Sequence, residues 1–387
     1  MPASELPIQT VREGVDATDM ANAIFGDGVS VESASYTGDI DSAGIYSNGD
    51  SVSPGVTPSD TGVILSTGNA ESFTNSSGQE NQSNSTSTNT SGQNNNAQFN
   101  AAAGARTYDA SYLDVDFIPT GDLMTMQFVF SSEEYPEFQN SIYQDFVGVW
   151  VNGQQVEMEV GDGDTDPGNI NTTNNINMFV SNANDDYNTE MDGFTITLTL
   201  TMQVNAGQMN SIRIGIADVS DNQYDSNLLI AGDSVQTSLV AVGDDVNVYP
   251  DGVTSFNVLD NDVSPVGSVL TITHINNQPV SYDPITGTGT TITLPTGQQV
   301  TVGPNGQLTV AGDGDEEDFN FTYTVSDGNN TDVGFVNATS VPCFVAGTMI
   351  STPDGEVRVE TLQEGDLVLT QDDGPQPVRW AGTRTVQ

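Results

Sequence analysis

An excess of acidic residues is the property that most constrains how this chain can fold. The sequence has 53 aspartate and glutamate residues but only six basic ones, all arginine, for a formal net charge of −47. Such a charge repels itself in a compact state. High external salt could screen it over about 8 Å or less, or bound Ca²⁺ could neutralise it through carboxylate and carbonyl oxygens. A solvated acidic surface suited to brine and a calcium-binding fold therefore both stay open.

The charge also excludes classes of partner. Nucleic acids and anionic lipids need positive contacts, so we expect neither as a partner. No apolar run approaches the roughly 18 residues of a membrane span. The N-terminus, MPASELPIQTVREGVDATD, lacks the basic and apolar regions of a signal peptide. The single cysteine excludes an intrachain disulfide. The composition favours an extracellular or surface protein of a bacterium, exported by a route without an N-terminal signal peptide.

Short apolar runs separated by turn residues indicate the fold class. In residues 113–117 apolar and acidic side chains alternate with the period of two that marks a half-buried strand. Asn152-Gly153 is a hairpin-turn signal. Strong helix formers are scarce and glycine is plentiful, with 39 copies. We therefore predict an all-β protein, with a β-sandwich N-terminal domain, an Ig-like β-sandwich middle domain and an incomplete β-rich third domain.

Changes in composition and in the pattern of strand and turn signals divide the chain into four parts. An N-terminal segment at 1–14 precedes a sandwich at 15–238, a second sandwich at 241–340 and a third part at 341–387. In the second sandwich, strands and turn signals recur about every 8–12 residues. Residues 75–98 are polar and of low complexity. They cannot bury a core, so we expect a long mobile loop there.

Acidic residues at strand ends are the first candidates for metal binding. Glu133 and Glu134 directly follow an apolar strand, and more carboxylates come at the ends of later strands. Carboxylates at the loop ends of one sandwich can converge on a hard cation; solvated acidic turns are the alternative. The loop at 161–169 spaces its aspartates like a calcium loop but lacks the EF-hand glutamate. The candidate Ca²⁺ ligands are Glu133, Glu134, Asp145, Asp162, Asp164, Asp166, Asp218, Asp221 and Asp225.

Three sequence blocks carry a resemblance to a known family. They are LSTGNA at 65–70, SEEYPEF at 132–138 and IADVSDNQYDS at 216–226. With these blocks, residues 15–238 resemble the choice-of-anchor L domain of bacterial surface proteins. The resemblance implies surface display rather than a reaction. The Asn- and Ser-rich stretch at 75–98 departs from the family, where a shorter glycine- and aspartate-bearing segment is expected.

The middle part is similar to cadherin-like and Ig-like repeats of bacterial adhesins, through NVLDNDVSPVGSVLTIT and FTYTVSDG. The resemblance implies candidate calcium ligands at an inter-domain junction, namely Asp244, Asp245, Asp260 and Asp262. Acidic turns that only cap strands are the alternative. The one histidine, His274, has no second histidine or cysteine nearby in sequence. We interpret it as an ordinary strand residue, since a zinc site or a Ser-His-Asp triad needs more partners.

The only cysteine, Cys343, opens a run that closely resembles the start of a Hint domain, the hedgehog/intein fold. The matching features are the leading cysteine, the C-F-x-x-G-T-x-I run that contains Thr348, the PDG turn, the V-E-x-L-x-x-G-D-x-V-L block and the P-V-R-W strand. The resemblance implies a self-cleaving module. Cys343 would attack the carbonyl of Pro342 and convert the amide to a thioester by an N–S acyl shift.

The histidine block that this family uses does not follow within the sequence. We therefore expect the Hint module to be cut short and its cleavage to be absent or very slow in this chain. The structural alternative is that Cys343 is a small buried apolar residue at a strand start.

Two functions of different kinds remain from the sequence. The first is an acidic, calcium-stabilised surface protein with an adhesion or matrix role, matured by self-cleavage and without turnover of a separate substrate. The second is a carbohydrate-binding module that would use exposed aromatic side chains. The partners of the surface protein would be other surface or matrix proteins, and those of the carbohydrate-binding module would be surface glycans. The oligomeric state stays open. The candidate glycan-stacking residues are Tyr135, Tyr143, Trp150 and Tyr187.

Overall fold

The computed structural model describes residues 4–77, 80–341, 347–370, 374–379 and 381. The chain divides into two compact units, Met1–Thr339 and Ser340–Gln387. The first unit contains two β-sandwiches with separate hydrophobic cores. This confirms the predicted all-β class.

Two antiparallel sheets form the N-terminal sandwich. One has the order β1-β3-β4-β13-β6-β10-β9, with β11 also paired to β6, and the other has the order β2-β5-β12-β7-β8. The elements are β1 (Ile8–Thr10), α1 (Ala17–Ile24), β2 (Val29–Thr37), β3 (Ala43–Tyr46), α2 (Gly49–Val52), β4 (Gly62–Ser66), α3 (Ala97–Ala103), β5 (Thr107–Pro119), β6 (Leu123–Ser132), β7 (Phe146–Val151), β8 (Gln154–Gln155), β9 (Phe179–Ser181), β10 (Gly193–Thr195), β11 (Leu198–Gln203), β12 (Asn210–Val219) and β13 (Ser226–Ala231).

The core of this sandwich lies between the two sheets. Phe117 of β5 and Ile214 of β12 face Phe128 of β6 and Leu228 of β13, and all four are fully buried. The alternation in 113–117 is confirmed, because the apolar residues are buried while Asp116 is exposed. Burying one such apolar side chain stabilises the fold by about 1.5–3 kcal/mol.

The hairpin signal at residues 152–153 is also confirmed. Val151 of β7 pairs with Gln154 of β8. Asn152 and Gly153 both have positive φ, at 51° and 79°. Two left-handed residues in a two-residue loop match the twist of the flanking strands, which is why Asn-Gly is favoured there.

Two further sheets form the second sandwich, in the orders β14-β24-β23-β16-β17 and β15-β22-β21-β20. Pairing is antiparallel along β24-β23-β16-β17 and along β15-β22-β21-β20. Their inner faces share one core, which includes Tyr323 and Val300. The strands are β14 (Asp244–Val248), β15 (Val253–Asn257), β16 (Thr271–Ile275), β17 (Gln278–Pro279), β18 (Tyr282–Asp283), β19 (Thr288–Gly289), β20 (Thr291–Thr293), β21 (Gln299–Val302), β22 (Gln307–Ala311), β23 (Phe319–Ser326) and β24 (Thr331–Ser340).

Two hairpins make up the described part of the second unit. Strand β25 (Met349–Thr352) pairs with β26 (Gly355–Arg358), and β27 (Leu367–Thr370) pairs with β28 (Gly374–Pro377). The PDG turn of the sequence joins the first pair.

Buried contacts join the two sandwiches of the first unit. Phe335 of β24 packs into the core of the N-terminal sandwich. Asn177 donates a hydrogen bond to the Asn320 carbonyl at 2.8 Å. Thr125 of β6 donates its hydroxyl to Asp332 of β24 at 3.0 Å. The two sandwiches therefore share a partly apolar, hydrogen-bonded junction.

Asp332 is a fully buried carboxyl group in this junction. Its second oxygen accepts the Ala241 N–H at 2.8 Å. Burial, with a smaller contribution from the negative charge of Asp262, raises the pKa of Asp332 to about 8. The carboxyl is therefore mainly protonated at neutral pH, and its ionisation would place a charge inside the junction.

We predict that alkaline pH weakens the junction through Asp332. Its pKa is higher in the folded chain than the unperturbed 3.8, so its contribution to stability is complete below pH 3.8 and is lost as the pH rises through about 8. Asp332→Asn stays neutral and can still accept from Ala241. Thermal unfolding from about pH 5 to about pH 9 should show a smaller loss of Tm in this variant than in the wild type.

Asp332→Ala is the contrasting variant, because it removes the acceptor of both the Thr125 hydroxyl and the Ala241 N–H. It should lower the Tm at every pH, since an unsatisfied buried donor costs about 1–3 kcal/mol. An equal pH dependence in wild type and Asp332→Asn would contradict the assignment.

Candidate functional site

Strand pairing brings acidic residues from both sheets of the N-terminal sandwich to one end. Glu133 and Glu134 follow β6, and Asp225 precedes β13, whose first residue pairs with the last residue of β6. In the other sheet, Asp145 precedes β7 and Asp218 lies near the end of β12, where these two strands pair. The structure thus brings together the five carboxylates that the sequence places at strand ends. We call these five residues the carboxylate cluster.

The carboxylate cluster is buried, since each of its residues is at most 4% exposed. Ser226 donates its hydroxyl to Asp145 at 2.7 Å, and the Val219 N–H donates to the same carboxylate at 3.2 Å. The Asp145 N–H in turn donates to Glu134. These donors are neutral, so they orient the carboxylates without cancelling their charge.

Several cluster oxygens have no hydrogen-bond partner. They are Oε2 of Glu133, Oε2 of Glu134, Oδ1 of Asp218 and Oδ2 of Asp225, each buried. A nearby group outside the predicted set, Asp109 of β5, has the same property at Oδ1. Buried polar groups in proteins are normally satisfied, so this density of unpartnered carboxylate oxygens calls for a positive species.

Burial and mutual repulsion shift the protonation of the cluster. Burial raises the pKa of Glu133 to about 8, of Glu134 to about 11 and of Asp225 to about 6. It also raises the pKa of Asp145 and of Asp218 well above the usual range. Neighbouring carboxylates add to each of these increases. The cluster therefore favours bound protons or a bound cation over five free negative charges.

A threonine segment, residues 83–92, covers the cluster. The Thr86 N–H donates to Glu133 Oε1 at 3.1 Å, and the Thr88 N–H donates to Asp225 Oδ1 at 2.7 Å. The Thr90 N–H donates to Asp109 Oδ2 at 3.1 Å. Each threonine side chain also lowers the pKa of the carboxyl group that its own N–H contacts.

These contacts were not expected from the sequence. They hold in place part of residues 75–98, for which the sequence predicts a mobile loop. Residues 86, 88 and 90 are half-buried, while 85, 87 and 89 are exposed. This alternation is that of an extended chain with one face against the protein. The signal available in the sequence was T-x-T-x-T within an otherwise uniform polar stretch.

The other candidates in the N-terminal sandwich take local roles. Asp162 accepts the Asp164 N–H, and Asp166 accepts the N–H groups of residues 168 and 169. These are capped turns, although burial raises the pKa of Asp166 to about 6. Asp221 is half-buried, accepts the N–H of residue 223, and adds negative charge near Asp145.

The four candidates in the second sandwich separate into two pairs. Asp262 accepts the Tyr323 hydroxyl at 2.9 Å, and its charge adds to the burial that raises the pKa of Asp244 to about 7. Each of these two aspartates has a buried unpartnered Oδ2. Asp245 and Asp260 are exposed instead. The structure therefore buries only two of the four, although the charges of Asp245 and Asp260 also raise the pKa of Asp244.

In the part of the chain that the structure describes, the acidic side chains are not already arranged as a metal-binding site. There, no group of three or more His, Cys, Asp or Glu side chains could hold a metal ion as placed. His274 lies half-buried in β16, with Nδ1 3.0 Å from the Thr273 hydroxyl. It stands apart from the carboxylate cluster, in the other sandwich.

The proposed nucleophile and its scissile carbonyl, Cys343 and Pro342, lie outside the described residues. Thr348 is described, and its carbonyl accepts the Val359 N–H at 2.8 Å. This bond joins the C-F-x-x-G-T-x-I run to the segment that follows β26.

Two of the four aromatic residues expected to stack on glycans lie in the interior, and for these two the expectation is wrong. Tyr135 is fully buried and Trp150 is 5% exposed. Phe99 of α3 covers the Trp150 ring at 4.9 Å, on the face that would have met solvent. Tyr187 packs edge-on against Phe194 at 5.1 Å. Tyr143 is only partly exposed.

Comparison with models of known families matches residues 9–236 to the choice-of-anchor L domain, 236–339 to the bacterial Ig domain and 342–387 to the Hint domain. The three predicted resemblances are confirmed in that order. A search of curated proteins gives no significant match. Among the described residues, no helix is long and apolar enough to cross a membrane.

Solved structures give only a remote likeness. Extracellular domains 3–5 of Drosophila OTK match with 9% identity and a TM-score of 0.20, over 70% of this chain and 82% of that one. The full-length major pilin RrgB from Streptococcus pneumoniae matches with 10% identity and a TM-score of 0.15, over 60% and 37%. These TM-scores carry no argument about function.

The choice-of-anchor L model spans more than half of the chain. The protein therefore belongs to the choice-of-anchor L domain family, as a cell-surface or extracellular protein that continues into a bacterial Ig domain and a Hint domain.

Proposed function

We propose that this protein is a calcium-stabilised module displayed at or released from a bacterial surface, with an adhesion or matrix role, and matured by its Hint domain. The observation that carries the calcium proposal is the carboxylate cluster, with its unpartnered oxygens. The order of the three domains supports the remainder.

Three species could neutralise the carboxylate cluster: arginine, protons or a metal cation. In the described part of the chain, the ion pairs join Arg12 to Asp41 and Arg213 to Asp114, all outside the cluster. Protons neutralise Glu133 and Glu134 at neutral pH, where their pKa values are about 8 and about 11, so a cation has to displace them. A divalent cation removes two charges at once, and a buried charge without compensation costs several kcal/mol.

Calcium suits this environment better than magnesium. Ca²⁺ accepts six to eight oxygen ligands in irregular geometry, and extracellular modules bind it with Kd values of about 10⁻⁴–10⁻³ M. Mg²⁺ demands near-octahedral geometry and keeps several waters. The carboxylate cluster is crowded, irregular and buried at one end of the sandwich, which favours the larger ion, Ca²⁺.

We predict that Ca²⁺ raises the Tm of the chelator-treated chain while equimolar Mg²⁺ raises it much less. At free Ca²⁺ of about 100 times Kd, the gain is about 2.7 kcal/mol. For a domain of this size, that gain corresponds to a rise of roughly 5–10 °C. Differential scanning calorimetry at constant ionic strength measures the shift and separates binding from screening. Equal shifts with Ca²⁺ and Mg²⁺ would count against a calcium site.

Glu134→Gln should change the Tm differently in the two conditions. Without calcium its Tm should rise, because glutamine is neutral without the proton that Glu134, with a pKa of about 11, has to take up on folding at neutral pH. With calcium, its Tm increase should be smaller than in the wild type, because a ligand oxygen has been weakened. Glu137→Gln, three residues away and exposed, removes the same charge and should behave like the wild type in both conditions.

Self-cleavage at Pro342–Cys343 is the second part of the proposal. The Cys343 thiolate would attack the Pro342 carbonyl, forming a C–S thioester bond and breaking the C–N bond, which leaves the Cys343 amine free. Water would then hydrolyse the thioester and release a protein that ends at Pro342. The Hint match, which begins at residue 342, supports this assignment.

In the protein as expressed from its own gene, Cys343→Ala should abolish cleavage at 342/343, since alanine has no nucleophile. Mass spectrometry of the purified product identifies the new C-terminus. Cys343→Ser, which keeps a weaker nucleophile, should cleave more slowly than the wild type. Persistent cleavage between residues 342 and 343 in the alanine variant would refute the nucleophile assignment.

A further inference from the structure

Two carboxyl groups of the carboxylate cluster contact the threonine segment through only one of their two oxygens. Glu133 and Asp225 each give one oxygen to a threonine of the segment, at 3.1 and 2.7 Å. The other oxygen of each is buried and unpartnered. Each carboxylate therefore has one oxygen committed to the segment and one available to a cation.

Further hydrogen bonds hold the segment and the residue that follows it. The Thr86 carbonyl accepts the Asp225 N–H at 2.9 Å. Gln93 exchanges two backbone hydrogen bonds with Ala110 of β5, at 3.3 and 3.2 Å. The Ser91 N–H and hydroxyl both donate to Asp39. The segment thus lies as an irregular stretch along the acidic end of the sandwich, with an isolated β-bridge directly after it at Gln93.

The two oxygens of a carboxyl group move together. We call the oxygen that accepts a threonine N–H the outer oxygen, at 3.1 Å for Glu133 and 2.7 Å for Asp225, and the unpartnered one the inner oxygen. A cation that binds an inner oxygen therefore also fixes the outer oxygen, on which the segment is held.

We propose that the threonine segment is the cover of the calcium site, and that calcium binding to the inner oxygens of Glu133, Glu134, Asp218 and Asp225 is coupled to docking of residues 83–92. This inference rests on the calcium binding of the proposed function and adds what regulates access to the site. Calcium on the inner oxygens fixes the carboxyl groups, the outer oxygens of Glu133 and Asp225 hold the segment, and the docked segment excludes water from the cation.

The coupling works in both directions, because two events linked through shared groups favour one another equally. No three of the described acidic groups stand in a ligand arrangement as placed. Binding therefore has to draw the carboxyl groups together, and the segment that contacts two of them moves with them.

Amide hydrogen exchange on the full chain tests the coupling without any mutation. In Ca²⁺, exchange at the N–H groups of Thr86, Thr88 and Thr90 should be at least tenfold slower than in chelator. In Mg²⁺ the change should be much smaller. The exposed residue 89 supplies an internal reference, because its N–H is not among the donors to the cluster.

A pair of conservative variants tests the hydroxyl contacts. Thr88→Val keeps the size and the N–H but removes the hydroxyl that lowers the pKa of Asp225, and it should weaken calcium affinity by about tenfold. Ser87→Ala removes a hydroxyl from the exposed face of the same segment, and its affinity should equal that of the wild type. Isothermal titration calorimetry with CaCl₂ measures both.

The outcomes separate this inference from the function on which it rests. Slower exchange at the three threonines, together with weaker binding by Thr88→Val, supports the cover. A calcium-dependent rise in Tm with unchanged exchange at residues 86–90 overturns the cover and leaves the calcium site standing. No rise in Tm and no change in exchange overturns both. Equal affinity of the Thr88→Val and Ser87→Ala variants also overturns the cover.

Discussion

Burial of like charges at one end of a β-sandwich is the constraint on which the rest of this structure depends. Antiparallel pairing places the ends of β6, β12 and their neighbours together, so acidic residues that are far apart in sequence become neighbours. The described arginine ion pairs lie elsewhere, on Asp41 and Asp114. The folded state therefore needs protons or a cation at this end, and the surrounding medium decides which.

This constraint also explains the composition of the polar stretch. An apolar cover would leave the outer carboxylate oxygens without donors, and a buried unsatisfied group costs more than a hydrogen bond returns. A lysine would neutralise one charge but would compete with a cation for the same oxygens. Threonine and serine offer an N–H and an O–H from each residue without adding charge, which suits them to a site that is completed by an external ion.

Much of the fold could be predicted from the sequence, because its strands show period-two patterns and its domains carry recognisable blocks. The blocks at 132–138 and 216–226 also place the carboxylate cluster, since both sit at strand ends of one sandwich. The burial of Trp150 could not be predicted this way. Strand β7 is buried on both faces because α3 covers its outer side, so its sequence shows no alternation. The role of Thr88 was hidden for a different reason: low complexity predicts a free loop unless the groups that bind it are known.

Strand β6 links the two places where this protein buries acidic groups. Thr125, near its start, contacts Asp332 in the junction, and Glu133 follows its last residue in the carboxylate cluster. Eight residues of extended chain separate Thr125 from Glu133, or about 26 Å at the usual rise per residue. Substitutions this far apart, without shared partners, usually act additively on stability. The junction and the proposed calcium site should therefore respond separately, the first to alkaline pH through Asp332 and the second to calcium, although one strand holds both.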